Sequence, residues 1–161
     1  MNELDTLARS LATLLKERKE TIAVAESSAG GLISAALLSV PGASAYFLGG
    51  GVIYTQAARR ALLRLGDDSV KGIRSSSEPY ATLKARTIRE LLGATWGLAE
   101  TGATGPTGNR YGDSAGHACI AVAGPVERVI TLETGHGDRE KNMWAFAKRA
   151  LELLETALSK R

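Results

Sequence analysis

Cysteine is nearly absent: Cys119 stands alone in 161 residues. One thiol excludes an intrachain disulfide and a cysteine-based metal cluster. Its place in the apolar run "HACIAVAG" marks it as a buried core thiol. No run is long enough to span a bilayer, and no apolar signal region precedes the first helical pattern. A reducing cytoplasm is therefore the expected compartment. A one-sign charge stripe is missing too. The 20 Lys+Arg exceed the 17 Asp+Glu by only three, and they are scattered, as in "KERKE" and "ARTIRE". Such residues read as solvated helix faces, so no nucleic-acid partner is expected. There is no repeat, linker or low-complexity stretch, and a single domain over residues 1–161 is expected.

What is present alternates between helical and extended patterns. Leu4, Leu7, Leu11, Leu14 and Leu15 predict an amphipathic helix over 3–18. "TIAVA" (21–25) predicts a buried strand, followed by a helix over 30–39. "YFLGGGVIYT" (46–55) predicts a strand whose Gly49, Gly50 and Gly51 imply a bulge or a close approach by a ligand or another backbone. Residues 56–65 read as helix. Ser77 is placed to cap a helix over 78–92, with Pro79 in its first turn. "ATWGLAE" (94–100) reads as a strand and 101–113 as a Gly-rich loop. "HACIAVAG" and "ERVITLET" predict a hairpin turned at Gly124–Pro125. Asp138 is placed to cap a last helix with a core face of Trp144, Ala147, Leu151, Leu154 and Leu158. This order implies an α/β class fold, a three-layer α/β/α sandwich with a mixed sheet.

Two loops carry chemistry. In "AESSAGG" (25–31), Glu26, Ser27 and Ser28 sit between the first strand and a helix. Hydroxyls beside a carboxylate there fit a helix cap or a nucleophile facing an oxyanion site, and the turn alone leaves both open. "TGATGPTG" (101–108) fits either an anion-binding nest of backbone amides or a flexible turn. No Gly-Lys-Ser/Thr follows, so it is not a Walker loop. Gly102, Gly105 and Gly108 have a dinucleotide-loop spacing, and "YATLK" supplies a Tyr80–Lys84 pair at the spacing of short-chain dehydrogenases. A dinucleotide loop opens its domain and precedes such a pair, whereas here the order is reversed. Helical periodicity accounts for Tyr80 and Lys84.

"AESSAGGLIS", "VPGASAYFLGGGVIYT", "TGATGPTG" and "TGHGDRE" follow one another in an order that resembles the C-terminal domain of the competence/damage-inducible CinA family, over residues 5–157. The resemblance implies the same α/β/α fold, no N-terminal cofactor-like hydrolase domain, no metal or organic cofactor, and a homodimer. It implies a nicotinamide mononucleotide deamidase, which releases ammonia from the carboxamide and leaves nicotinate mononucleotide. Ser27 matches the proposed nucleophile, with amides from Gly30 and Gly31 onward at the helix start available for the oxyanion. Glu26, Ser44, Tyr54, Thr101, Gly102 and Gly105 match positions near the substrate. Arg139 matches an arginine of the Gly-Asp-Arg segment and is expected to pair with substrate phosphate.

The departures bear on activity. The family lysine proposed as base is Arg59 in "YTQAAR", and Gln56 stands for an asparagine. A guanidinium stays charged and cannot serve as a general base. Ser28 and Ala29 stand where the family has Cys and Thr, and Met143 replaces a second arginine. Two functions of different class follow. One is an amidohydrolase with an altered base, and the other a non-catalytic relative that binds a nucleotide or a protein partner.

Overall fold

The computed structural model describes residues 2–160. Five helices surround a five-stranded mixed sheet: α1 (Asn2–Arg18), β1 (Ile22–Glu26), α2 (Leu32–Leu38), β2 (Phe47–Val52), α3 (Gln56–Leu62), α4 (Glu78–Leu92), β3 (Trp96–Ala103), β4 (His117–Ala123), β5 (Arg128–Glu133) and α5 (Arg139–Ser159). The sheet order is β2-β1-β3-β4-β5. β1 is parallel to β2 and to β3, and β3, β4 and β5 run antiparallel in turn.

β1 is central and buried along its whole length, which explains its unbroken apolar run before Glu26. Its side chains split by the two-residue period of a strand. Ile22 and Val24 enter a core built with α1, α2 and α5. Ala23 and Ala25 enter a second core, which holds Ala81, Ala85 and Ile88 of α4. These are the two helical layers of an α/β/α sandwich. No helix among the described residues is long and apolar enough to cross a membrane.

The structure refines several boundaries. β2 ends at Val52, so Tyr54 lies in a loop and Thr55 caps α3, its Oγ1 accepting from Ala58 N at 3.1 Å. A bulge between Ile22 and Ala23 shifts the β1–β2 register. At Gly50, a Cβ would sit 2.0 Å from Val24 O. Gly50 is thus explained by an approaching backbone, whereas Gly49 and Gly51 meet only side chains. β3 extends to Ala103, so Thr101 and Gly102 are strand residues rather than loop residues, and Gly102 pairs with Ala118. Both predicted caps are present: Ser77 accepts from Tyr80 N and Asp138 from Lys141 N.

Candidate active site

Because β1, β2 and β3 are parallel, their C-terminal ends share one sheet edge. Ser27 follows β1, Tyr54 follows β2, and Thr101 and Gly102 lie near the end of β3. Such an edge, outside strand C-termini, is where open α/β sheets hold ligands. A cavity of about 360 Å³ lies there. Ser27, Tyr54, Arg59, Thr101 and Gly102 line it, so five of the sequence-predicted residues come together. Ser76, Tyr80 and Arg110 also line it and were not predicted as site residues.

Arg59 is only 6% exposed. Its Nε donates to Leu65 O at 3.1 Å, and its terminal nitrogen donates to Asp67 Oδ1 at 2.5 Å. Arg60 also holds Asp67. The Arg60 and Arg59 guanidiniums keep the Asp67 carboxyl below its ordinary range. Arg59 therefore presents a fixed positive charge to the cavity. Burial pushes the Tyr80 phenol above its ordinary value, with the Arg59 charge opposing.

The far wall is tied down through Ser76, a non-glycine residue at φ 56. Its amide donates to Thr101 Oγ1 at 3.1 Å, and its carbonyl lies 2.8 Å from His117 Nε2. Thr101 Oγ1 thus accepts one bond from the protein and keeps its own proton to donate.

Beneath Ser27 lie two fully buried carboxylates, and they overturn the expected oxyanion site. Glu26 accepts from the amides of Gly31 and Ile33, both at 3.0 Å, and of Ser34 at 2.8 Å. Glu100, on β3, accepts from Ser27 N at 2.9 Å, Ala29 N at 2.8 Å and Ser28 Oγ at 2.5 Å. Gly30 N and Leu32 N close the turn on Ser27 O and Ala29 O. The amides at the start of α2 are spoken for. Glu26 is a structural cap rather than a substrate ligand, since it is 0% exposed and all three of these bonds reach α2.

Other expected contacts are corrected as well. Ser44 precedes β2, which puts it at the opposite edge of the sheet. Gly30 faces Met143, whose Cε would lie 2.7 Å from an added Cβ. Gly105, at φ 116, packs on Gly137, whose carbonyl would lie 2.6 Å from a Cβ, so its need for glycine is internal. Arg139 does not line the cavity. It donates to Gly105 O at 2.6 Å and to Tyr54 Oη at 3.1 Å, tying the Gly-rich loop to the Tyr54 loop.

The CinA C-terminal domain family model matches residues 4–158. The chain belongs to that family. It is 41% identical to a CinA-like protein of Prochlorococcus marinus (strain MIT 9313), over 75% of this chain and 28% of that protein. It is 34% identical to a CinA-like protein of Synechocystis sp., over 94% of this chain and 36% of that protein. The chain thus spans about a third of the length of these curated relatives. Among solved structures, a CinA superfamily protein from Klebsiella pneumoniae 700603 superposes with a TM-score of 0.90 at 25% identity, covering 98% of each chain. A competence/damage-inducible protein from Agrobacterium tumefaciens gives 0.86 at 28% identity, covering 96% and 94%.

Within this CinA domain, sequence reasoning missed the pair below the serine turn. Lys84 is 0% exposed and its Nζ donates to Glu100 O at 3.0 Å. Burial, opposed by the Glu100 and Glu26 charges, pushes its ammonium down to about 8. A signal was available. Lys84 falls at helical spacing among Ala81, Ala85 and Ile88, on the buried face of α4. Glu100 interrupts an otherwise uncharged strand.

Proposed function

We propose that the chain hydrolyses the carboxamide of a phosphate-bearing pyridine nucleotide, nicotinamide mononucleotide in the first instance, with Ser27 as nucleophile. The observation that carries the reading is the cavity in which Ser27 meets the buried guanidinium of Arg59 and the side chain of Arg110. Two arginines beside a hydroxyl suit a phosphorylated substrate presented to a nucleophile. In the reaction, Ser27 Oγ bonds to the carboxamide carbon. The C–N bond breaks, ammonia leaves with the serine proton, and water cleaves the acyl-serine ester to the acid.

The roles of the other residues change accordingly. Arg59 binds anionic oxygen and does not take the proton. Tyr54, 58% exposed and held by Arg139, is the first alternative base, and Tyr80 is the second. The oxyanion draws its donors from the cavity wall or from the Ser28 amide, because the amides from Ala29 to Ser34 are occupied. The reading includes a cytoplasmic homodimer that needs no cofactor. β2 is an edge strand that exposes Leu48 and Val52, a surface suited to a second copy.

One observation favours a second reading. The same occupied amides, with arginine at the base position, suit a protein that binds the nucleotide without turning it over. Ammonia release from nicotinamide mononucleotide by the native chain and by Ser27→Ala separates the two. Turnover that depends on Ser27 supports the enzyme. Binding of the nucleotide with no ammonia released supports the second reading.

A further inference from the structure

The turn that carries Ser27 is held from below rather than by its own helix. Glu100 reaches across from β3 and takes the amides on both sides of Ser28, together with the Ser28 hydroxyl. A carboxylate that is 0% exposed needs a counter-charge in place. Lys84, also 0% exposed, enters from α4 onto the carbonyl of that same residue. The charged groups acting on Lys84 are Glu100 from β3 and Glu26 from β1, and its own helix contributes the Tyr80 ring at 5.4 Å. Two carboxylates and one ammonium, on three different elements, thus act on one another under the turn.

We propose that Glu100 and Lys84 are the positioning residues of Ser27: Glu100 holds the turn that carries its hydroxyl by clamping the turn amides, and Lys84, seated on the Glu100 carbonyl, holds Glu100 in place for all three hydrogen bonds. This rests on the reading of Ser27 as a nucleophile, but not on the identity of the substrate. The chemistry has a built-in pH limit. Once Lys84 loses its proton, near pH 8, the positive charge that acts on the two buried carboxylates is gone. The clamp on the turn then loosens. Loss of positioning is expensive in rate because small misplacements of a reacting atom reduce it steeply.

The test labels Ser27 directly with a fluorophosphonate probe, read by intact mass and peptide mapping from pH 6.5 to 9.5. The native chain is compared with Lys84→Met, Glu100→Gln and the double variant. At pH 7 the native chain should be labelled about tenfold or more faster than either single variant, an order expected for a misplaced nucleophile. The ratio of native to Lys84→Met should fall toward one above pH 9, where the native lysine is itself neutral. The double variant should lose less than the product of the two single losses, because the two residues are in contact and act as one unit. A ratio that stays constant with pH, or labelling of Glu100→Gln at the native rate, overturns the proposal, as does absence of Ser27 labelling in the native chain. A second measurement on the native chain alone covers poor folding of the variants. The amide protons of Ser27 and Ala29 should shift with a common midpoint near pH 8 in ¹⁵N-correlated spectra, and no midpoint between 7 and 9 overturns the clamp. Ser27 labelling that depends on Lys84, with no ammonia from nicotinamide mononucleotide, leaves this proposal standing and removes only the substrate.

Discussion

His117 stands with Nδ1 2.5 Å from Glu133 Oε1 and Nε2 2.8 Å from Ser76 O, so each ring nitrogen meets an oxygen that only accepts. Both nitrogens are placed to donate, an arrangement that favours the imidazolium. Asp113, bridged to Arg74 at 2.7 Å, lies 3.5 Å from Nε2. Burial alone lowers the value of this histidine. The Glu133 bond, the Ser76 carbonyl and Asp113 outweigh it, and the net shift is upward from 6.5. A group whose folded value is raised stabilises fully below its unfolded value, and the contribution is lost as pH rises through the folded one. His117→Phe should therefore cost about 2 kcal/mol at pH 6, the scale of hydrogen bonds to a charged group, and less at pH 9. Urea melts of the two proteins at both pH values check this. A difference that grows with pH contradicts the imidazolium.

The cap under α2 makes a second test. Glu26 serves three amides with two oxygens. Burial raises its carboxyl above the ordinary value, against the pull of the Ser34 and Ile33 bonds. Glu26→Gln keeps the shape but turns one acceptor into a donor facing amides. A loss of about 2–3 kcal/mol is expected, the cost of an unsatisfied buried group. Denaturant unfolding with an unchanged m-value is the check. A loss below about 0.5 kcal/mol would mean that the amides find water instead.

Backbone approach gives a third. Ala at Gly50 places a Cβ 2.0 Å from Val24 O, which no rotamer relieves. Gly50→Ala should cost about 3 kcal/mol or abolish folding. Gly66→Ala is the matched control, since nothing lies within 4 Å of its Cβ and its φ is −75. It should be neutral or stabilise by about 0.5 kcal/mol. Thermal melts of the pair separate close packing from a general intolerance of alanine.

Much of the architecture was legible because periodicity and caps are local. The buried run at Ile22–Glu26, the hairpin of β4 and β5, and the caps at Ser77 and Asp138 each follow from neighbours in sequence. The site was legible only at its rim. Ser27, Tyr54 and Arg59 sit on loops and helix starts that the motifs mark. Their floor is made by Lys84 and Glu100, which lie 16 positions apart and meet only when α4 packs on β3. Helical spacing explained Lys84 well enough to hide it. Nor does a sequence disclose that an amide is already occupied. The expectation of a free oxyanion site at the start of α2 failed because two carboxylates from different strands reach it first.

Arg59 decides between enzyme and binding protein. General-base help to a serine hydroxyl is worth roughly a hundredfold to ten-thousandfold in rate, and a guanidinium gives none at neutral pH. The native chain should therefore release ammonia from nicotinamide mononucleotide slowly or not at all. Arg59→Lys places an amine in a wall position only 6% exposed, where desolvation lowers its value toward neutrality. It also gives up the paired bonds to Leu65 O and Asp67, so a small loss of stability should accompany it. The rate should rise at least tenfold, within the range that general-base help supplies. The gain should vanish in the Arg59→Lys, Ser27→Ala double variant, because a lysine acting on bound water would survive that change. Phosphate affinity should move the other way, since a forked guanidinium binds phosphate in two places and an amine in one. Calorimetry with nicotinamide mononucleotide and with its dephosphorylated riboside reads that part. Vigorous native turnover that needs Ser27 would transfer the base role to Tyr54 or Tyr80, testable with the Phe variants. An Arg59→Lys protein that binds the nucleotide and still releases no ammonia would make the binding reading the better one.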